Sequence, residues 1–276
     1  MLLWGTSAYL CLMVPKVLAD RIWHMFAGAS IVTALIAGLT AFMSLPLAAA
    51  SIGNGWSDAI DAGTLHAVLF ETTVGQAWLA QAAAALILLL ALPLPGRWRH
   101  HGIALGSGLG LAALVLTGHA SMHEGWLKTA HRANDMLHVL AGGGWLGALL
   151  PLIPILRLLR LPDYRAEALL ALRRFSTAGH IAVAVVIVSG IVNTMLVLKH
   201  LPMDWSSPYQ ALLGLKIALV AGMGLLAIVN RYVLVPRIGH DQERALNTIR
   251  LGSITEIVLG IAVIALVAVF GMLEPV

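Results

Sequence analysis

The chain has 276 residues, of which 59% are hydrophobic and 11% charged, with a formal net charge of +4. Soluble domains carry roughly a quarter charged residues, so a water-soluble body of this size is excluded for want of polar surface. The single cysteine, Cys11, excludes an internal disulfide, a CxxC redox pair and a CxxCH haem attachment.

A hydrocarbon slab of about 30 Å takes about 20 helical residues to cross. Apolar runs of that order predict spans at 2–18, 22–45, 75–94, 102–120, 133–156, 175–198, 209–235 and 249–273. The predicted fold is all-α, a polytopic bundle of eight transmembrane helices forming one domain over residues 1–276. A closed barrel needs period-2 alternation, which runs such as Leu86 to Leu92 lack. The first run is short and holds Pro15 and Lys16. No basic residue precedes it and Lys16 and Arg21 follow it, the reverse of a secretory leader, so it is read as a span. The loop over 46–74 is expected to carry a short surface helix. Gly142-Gly143-Gly144 and Gly222-x-Gly224 read as close helix packing. Trp56, Trp126 and Trp205 read as interface anchors.

Eight spans place the connecting segments alternately on two sides. One side collects Lys16, Arg21, Arg97, Arg99, Arg157, Arg160, Arg165, Arg173, Arg174, Arg231, Arg237, Arg244 and Arg250. The other has Lys128, Arg132 and Lys199, and Lys216 falls inside a span. Basic residues mark the cytoplasmic side, so both termini are expected to be periplasmic. The positive net charge is then a topology signal and implies no nucleic-acid partner. No GxxxxGK[ST] motif is present to bind ATP.

Six of the eleven histidines, His66, His119, His123, His131, His138 and His200, fall on the side opposite the arginines. His66, His123 and His200, taken singly, are ordinary solvated loop residues. The dense group is different: Gly118-His119-Ala120-Ser121-Met122-His123-Glu124, then His131-x3-Asp135-x2-His138. At about 100° per residue, positions 131, 135 and 138 fall within roughly 60° of one another on a helix. Trp145 and Gly142 continue that face inward. The short connection makes the fourth and fifth spans antiparallel neighbours, which brings His119 toward Asp135 and His138. An ionisable group within a span is costly and is usually kept for a relay, pathway or ligand role. Imidazoles with a carboxylate suit zinc or oxidised copper, and a thioether such as Met122 or Met203 favours reduced copper. The candidate metal set is therefore His119, Met122, His123, His131, Asp135 and His138. Asn193, Lys216 and Glu256 are buried polar groups that extend a path, with Lys216 and Glu256 alternatively an internal ion pair.

These residues carry a resemblance. Gly118-His119-Ala120, His131-x3-Asp135-x2-His138 with Trp145-Leu146-Gly147, Arg174-Phe175-Ser176, and Ser189-Gly190-x2-Asn193 occur in that order. Pro208-Tyr209-Gln210-x2-Leu213-x2-Lys216, Asn230-Arg231, Glu256 and Glu274-Pro275 follow. Together, from about residue 66 to the C-terminus, they resemble the copper resistance protein D family. Members often have Tyr-Gly where Tyr209-Gln210 stands, and no fused soluble copper-binding domain is present here. The resemblance implies a bacterial inner-membrane protein that moves a copper ion from periplasm to cytoplasm, a transporter rather than an enzyme. It also implies a separate periplasmic copper-binding protein as donor.

A different class competes. His24 and His180 both fall in the cytoplasmic leaflet, where two imidazoles from neighbouring helices are able to ligate haem b axially, with His119 and His138 as a second pair. Such a protein would have redox activity. The bland alternative for His24 is a side chain hydrogen-bonded to a neighbouring helix or reaching the headgroups.

Overall fold

The computed structural model describes residues 1–117, 124–271 and 273. Among them the chain is helical and without strands. Seven helices are long and apolar enough to cross a membrane, and the first helix is a shorter apolar one. The expected count of eight full spans is therefore not confirmed: among the described residues seven helices are long enough, and the expected first span is a short helix.

The expected first span breaks where its own residues dictate. α1 covers Leu2–Leu12, and α2 starts again at Lys16 behind Pro15. Proline has no amide hydrogen and its ring disfavours the helical region for the residue before it, so it sits readily at a helix start. Eleven residues rise only about 16 Å, too little to cross alone. α1 is instead wedged inside the bundle. Its Thr6 hydroxyl donates to the Gly147 carbonyl at 2.9 Å, Trp4 Nε1 to Leu140 at 3.0 Å and the Tyr9 hydroxyl to Ala171 at 3.0 Å. Close approach makes this possible: a Cβ on Gly5 would stand 2.3 Å from the Gly143 carbonyl oxygen. Lipid tails are as apolar as leucine, so backbone approach at small residues and interhelical hydrogen bonds hold such helices together. The expected packing role of Gly142 to Gly144 is met here. Gly222 is different, with nothing within 4 Å of its added Cβ, and Gly224 has only Val183 at 4.0 Å, so that pair makes no tight helix contact.

α2, Lys16–Ile52, outruns its predicted 22–45 at both ends, and its apolar face of Ile31, Leu35, Ile36 and Leu39 is exposed, as a lipid-facing helix requires. The expected surface helix is α3, Ala62–Glu71, capped by Asp61, whose carboxylate accepts from the Thr64 amide at 2.7 Å. α4 (Thr73–Ala91) and α5 (Gly96–Ala113) form a hairpin. Trp56, Trp126 and Trp205 are all exposed, in keeping with interface anchors.

The second half positions the site. α6 is Gly125–Leu158, beginning eight residues before the predicted 133, and it is the most buried of the long helices. It packs against α1, α5, α7 (Arg165–Leu198) and α10 (Gln242–Phe270). α8, Pro208–Val229, packs on α10 and runs through a π-helical turn, Asn230–Leu234, into α9, Val235–Arg237. Two pairs result, α6 with α7 and α8 with α10, and mainly apolar cavities with a few polar side chains lie between them.

Candidate functional site

Two cavities are stacked along the space shared by α6, α7, α8 and α10. The one at the histidine-rich end, called outer here, has a volume of about 370 Å³ and is lined by His131, Asp135, His138, Asn193 and Lys216. The inner one, of about 250 Å³, is lined by His180, Asn230, Arg231 and Glu256. Trp145 lines both and stands between them.

The helix-face argument holds for the outer cavity. His131 Nε2 lies 3.7 Å from Asp135 Oδ2 one turn on, and the His131 side chain is almost fully buried. Asp135 Oδ1 accepts from Asn193 Nδ2, Asn193 Oδ1 accepts from Asn134 Nδ2, and Asn134 also donates to the Ser189 carbonyl at 2.9 Å. His138 Nδ1 sits 2.8 Å from Ser189 Oγ. The serine has one hydroxyl proton, which it gives to the Val185 carbonyl. Its oxygen must therefore accept from His138 Nδ1–H, leaving the neutral ring's lone pair on Nε2. A histidine that donates one ring N–H to a fixed acceptor is the usual form of a metal ligand. Gly190 makes room for the ring, since a Cβ there would meet His138 Cε1 at 3.3 Å. Lys216 is within electrostatic reach of Asp135, and its ammonium lies 5.9 Å from the Phe270 ring centre.

Sequence reasoning missed Asn134 and the role of Ser189. Asn134 lies three residues after His131 and four before His138, which is helix-face spacing, so a signal was present. Among the described residues no three His, Cys, Asp or Glu side chains converge closely enough to hold a metal ion. His119, Met122 and His123 lie outside the described residues. The side-by-side placement of the fourth and fifth spans is visible without them, because Arg132 on α6 donates at 3.3 Å to the carbonyl of Leu116, in the 3-10 turn Leu114–Thr117 that follows α5.

The inner cavity is built differently. The Glu256 carboxylate, buried at 2% exposure, accepts from Asn230 Nδ2 at 2.9 Å, and the Trp145 side chain lies within hydrogen-bonding reach of it. Lys216 faces the outer cavity and Glu256 the inner one, so the two are not the ion pair that their shared depth suggested. His180 Nδ1 donates to the Ser176 carbonyl at 2.7 Å, and Arg231 donates to the Ser176 hydroxyl at 2.7 Å. His180 Nε2 is buried with no hydrogen-bond partner among the described residues. His24 lines a separate cavity between α2 and α5, which shares no residue with that of His180. The structure thus does not assemble His24 and His180 into an axial pair; the helices that carry them line different parts of the bundle. Beyond Ser176 and Arg231 a third cavity continues past Arg165 and Arg173 toward the arginine-rich end.

Fold and cavities together define a polytopic helical membrane protein with buried polar groups at two levels of its bundle. Residues 1–129 match the family described as copper resistance protein D-like, N-terminal domain, and residues 169–270 match copper resistance protein D. The whole chain is 30% identical over 275 residues to the inner membrane protein YebZ of Escherichia coli strain K12, covering 94% of that protein. It is 32% identical over 256 residues to copper resistance protein D of Pseudomonas syringae pv. tomato, a match that takes in 88% of this chain and 82% of the relative. A third relative, the copper transport protein CutJ of Bacillus subtilis strain 168, is 30% identical over 244 residues, 84% of this chain but 43% of that longer protein. No solved structure matches. The chain belongs to the copper resistance protein D family.

Proposed function

We propose that this protein is a bacterial inner-membrane copper transporter that takes copper into its outer cavity from the periplasm and passes it toward the cytoplasm. The observation that carries the reading is His138: its Nδ1–H is committed to Ser189, which leaves Nε2 as a lone-pair donor on the cavity-lining face shared with His131 and Asp135. His119, Met122 and His123, outside the described residues, are candidates for further ligands by their chemistry alone, and a separate periplasmic protein delivers the ion. The basic residues put the arginine-rich end and its vestibule in the cytoplasm and both termini in the periplasm.

Lys216 supplies positive charge beside Asp135 when no ion is held, and an arriving cation takes over that part. Inward movement then requires passage past Trp145, with Glu256 and His180 Nε2 as the next donors. A membrane potential negative inside favours entry by roughly 2.3 kcal/mol per charge per 100 mV. The family names and the copper-related names of the relatives support copper as the cargo.

The test replaces His131, Asp135 and His138 singly by alanine in the full chain. Bound copper per purified protein and copper accumulated by cells should both fall in each variant, while circular dichroism stays helical. Unchanged values in all three would remove the proposal. An absorption spectrum of the same sample reads the haem alternative, since a Soret band lost in His138→Ala would favour a redox protein.

A further inference from the structure

A third feature stands apart from the path between α6 and α10. Between α1, α2 and α5, at the arginine-rich end, lies a cavity of about 790 Å³, larger than the inner or the outer one. Lys16, Arg97 and Arg99 line it with a single carboxylate, Asp20. Its imidazoles, His24, His100 and His101, at first suggest a metal. Charge and geometry decide against that, because three permanent cations outweigh one acid and no three potential ligands converge among the described residues.

Two helix starts meet at this cavity. α2 begins at Lys16 and α5 at Gly96, and both first residues are among its walls. Each helix opens behind a proline, Pro15 or Pro95, and neither has a side-chain cap or an acid in its first turn. The first amides of a helix have no intrahelical acceptor, and the helix dipole makes that end positive. Lysine or arginine in the first turn adds positive charge to a positive end, the unfavourable placement. The inside bias of basic residues explains the side of the membrane, but not why two helix starts and three cations share one hollow. An anion in the cavity resolves the conflict, and phosphate at helix starts flanked by arginine is a recurring arrangement. The wall is shaped as well as charged, since His100 stacks flat on buried Trp23, with ring centres 4.1 Å apart and planes at 8°. Trp98 beside it is 63% exposed, with the Arg97 guanidinium 5.2 Å from its ring, as suits a residue at the lipid boundary.

We propose that the hollow between α1, α2 and α5 is a binding site for a phosphate-bearing anion, the headgroup of an anionic phospholipid, held by Lys16, Arg97, Arg99 and the starts of α2 and α5. Basic pockets between helices at the cytoplasmic side are suited to such headgroups.

The experiment uses the full chain purified in neutral detergent. Its thermal midpoint is measured with added phosphatidylcholine, phosphatidylglycerol or cardiolipin, and separately with inorganic phosphate or pyrophosphate. Arg97→Gln/Arg99→Gln is compared with Arg250→Gln, an exposed arginine elsewhere, and lipid retained through purification is counted by native mass spectrometry. The expected result is a midpoint raised several degrees by the anionic lipids and not by phosphatidylcholine. The double variant should lose that shift and retain several-fold less anionic lipid, and Arg250→Gln should keep both. Protection by inorganic phosphate or pyrophosphate with none from lipid would overturn the lipid assignment in favour of a soluble phosphate. Equal stabilisation by phosphatidylcholine, or an unaltered shift and lipid count in the double variant, would overturn the site altogether. Should the double variant fail to fold, Lys16→Gln is read in the same assays.

Discussion

In the outer cavity Asp135 is tied to Asn193 and faces His131 and Lys216, while His138 keeps a donor nitrogen free of the protein's own hydrogens. In the inner cavity Glu256 accepts from neutral Asn230 with Trp145 in reach, and among the described residues the only lysine or arginine on its wall is Arg231. Glu256 is almost wholly buried and Asp135 half-buried, and a charge removed from water without partners is expensive. The outer one is compensated by groups that also bind or repel a cation, and the inner one by groups that merely satisfy its hydrogen bonds. The difference teaches that burial of an acid does not by itself set its affinity for a cation; the partners decide how readily an ion can replace them.

The largest effect should come from charge removal on the two sides. Asp135→Asn keeps the shape and should weaken copper binding tenfold or more, about 1.4 kcal/mol, whereas Glu256→Gln should change the affinity less than threefold. Equilibrium dialysis of the purified variants checks it, and equal losses would erase the distinction between the cavities. Next come two glycines, one in each wall. Gly190→Ala should push the His138 ring by a few tenths of an ångström and weaken binding about threefold, roughly 0.6 kcal/mol. Gly179→Ala, with nothing within 4 Å, should be silent in the same titration. Smaller still, Trp145→Phe removes the indole N–H in reach of Glu256 and should cost roughly 0.6 kcal/mol of stability, the usual size of an interhelical hydrogen bond in lipid, with copper affinity unaltered. A reversible unfolding titration in mixed micelles measures it.

The smallest effect lies outside both cavities. Hydrogen bonds from the backbone and side chain of Thr64 hold the Asp61 carboxyl below its ordinary range. A depressed carboxyl stabilises the folded form above its unfolded value and loses that contribution as pH falls through the folded one. Acid should therefore fray the start of α3, seen as faster amide exchange at Thr64, and leave the bundle intact.

Much of this was legible in the chain. Apolar runs located every long helix because lipid demands about 20 such residues whatever lies beyond them, and the 131, 135, 138 spacing is a property of one helix. Ends were less legible. α6 starts at Gly125 because Trp126 to His131 can be helical in water as well as in lipid, which hydropathy does not register. Contacts between distant helices were not legible at all. Nothing local tells that Asn193 would face Asp135, or that Lys216 and Glu256 would be parted by Trp145; those depend on how α7, α8 and α10 rotate about α6. The pairing of His24 with His180 failed for the same reason, since equal depth does not imply adjacency.

The π-helical turn at Asn230–Leu234 has its own consequence. Such a turn holds one residue more than an α-turn and so shifts the phase of everything after it by about a residue's angle. Removing a single residue there would turn it back into an α-turn, so Pro236 and Arg237 would keep their present direction while Asn230 stays on Glu256. The same deletion within the regular helix of α8 has no such slack and would re-aim everything after it by about a residue's angle.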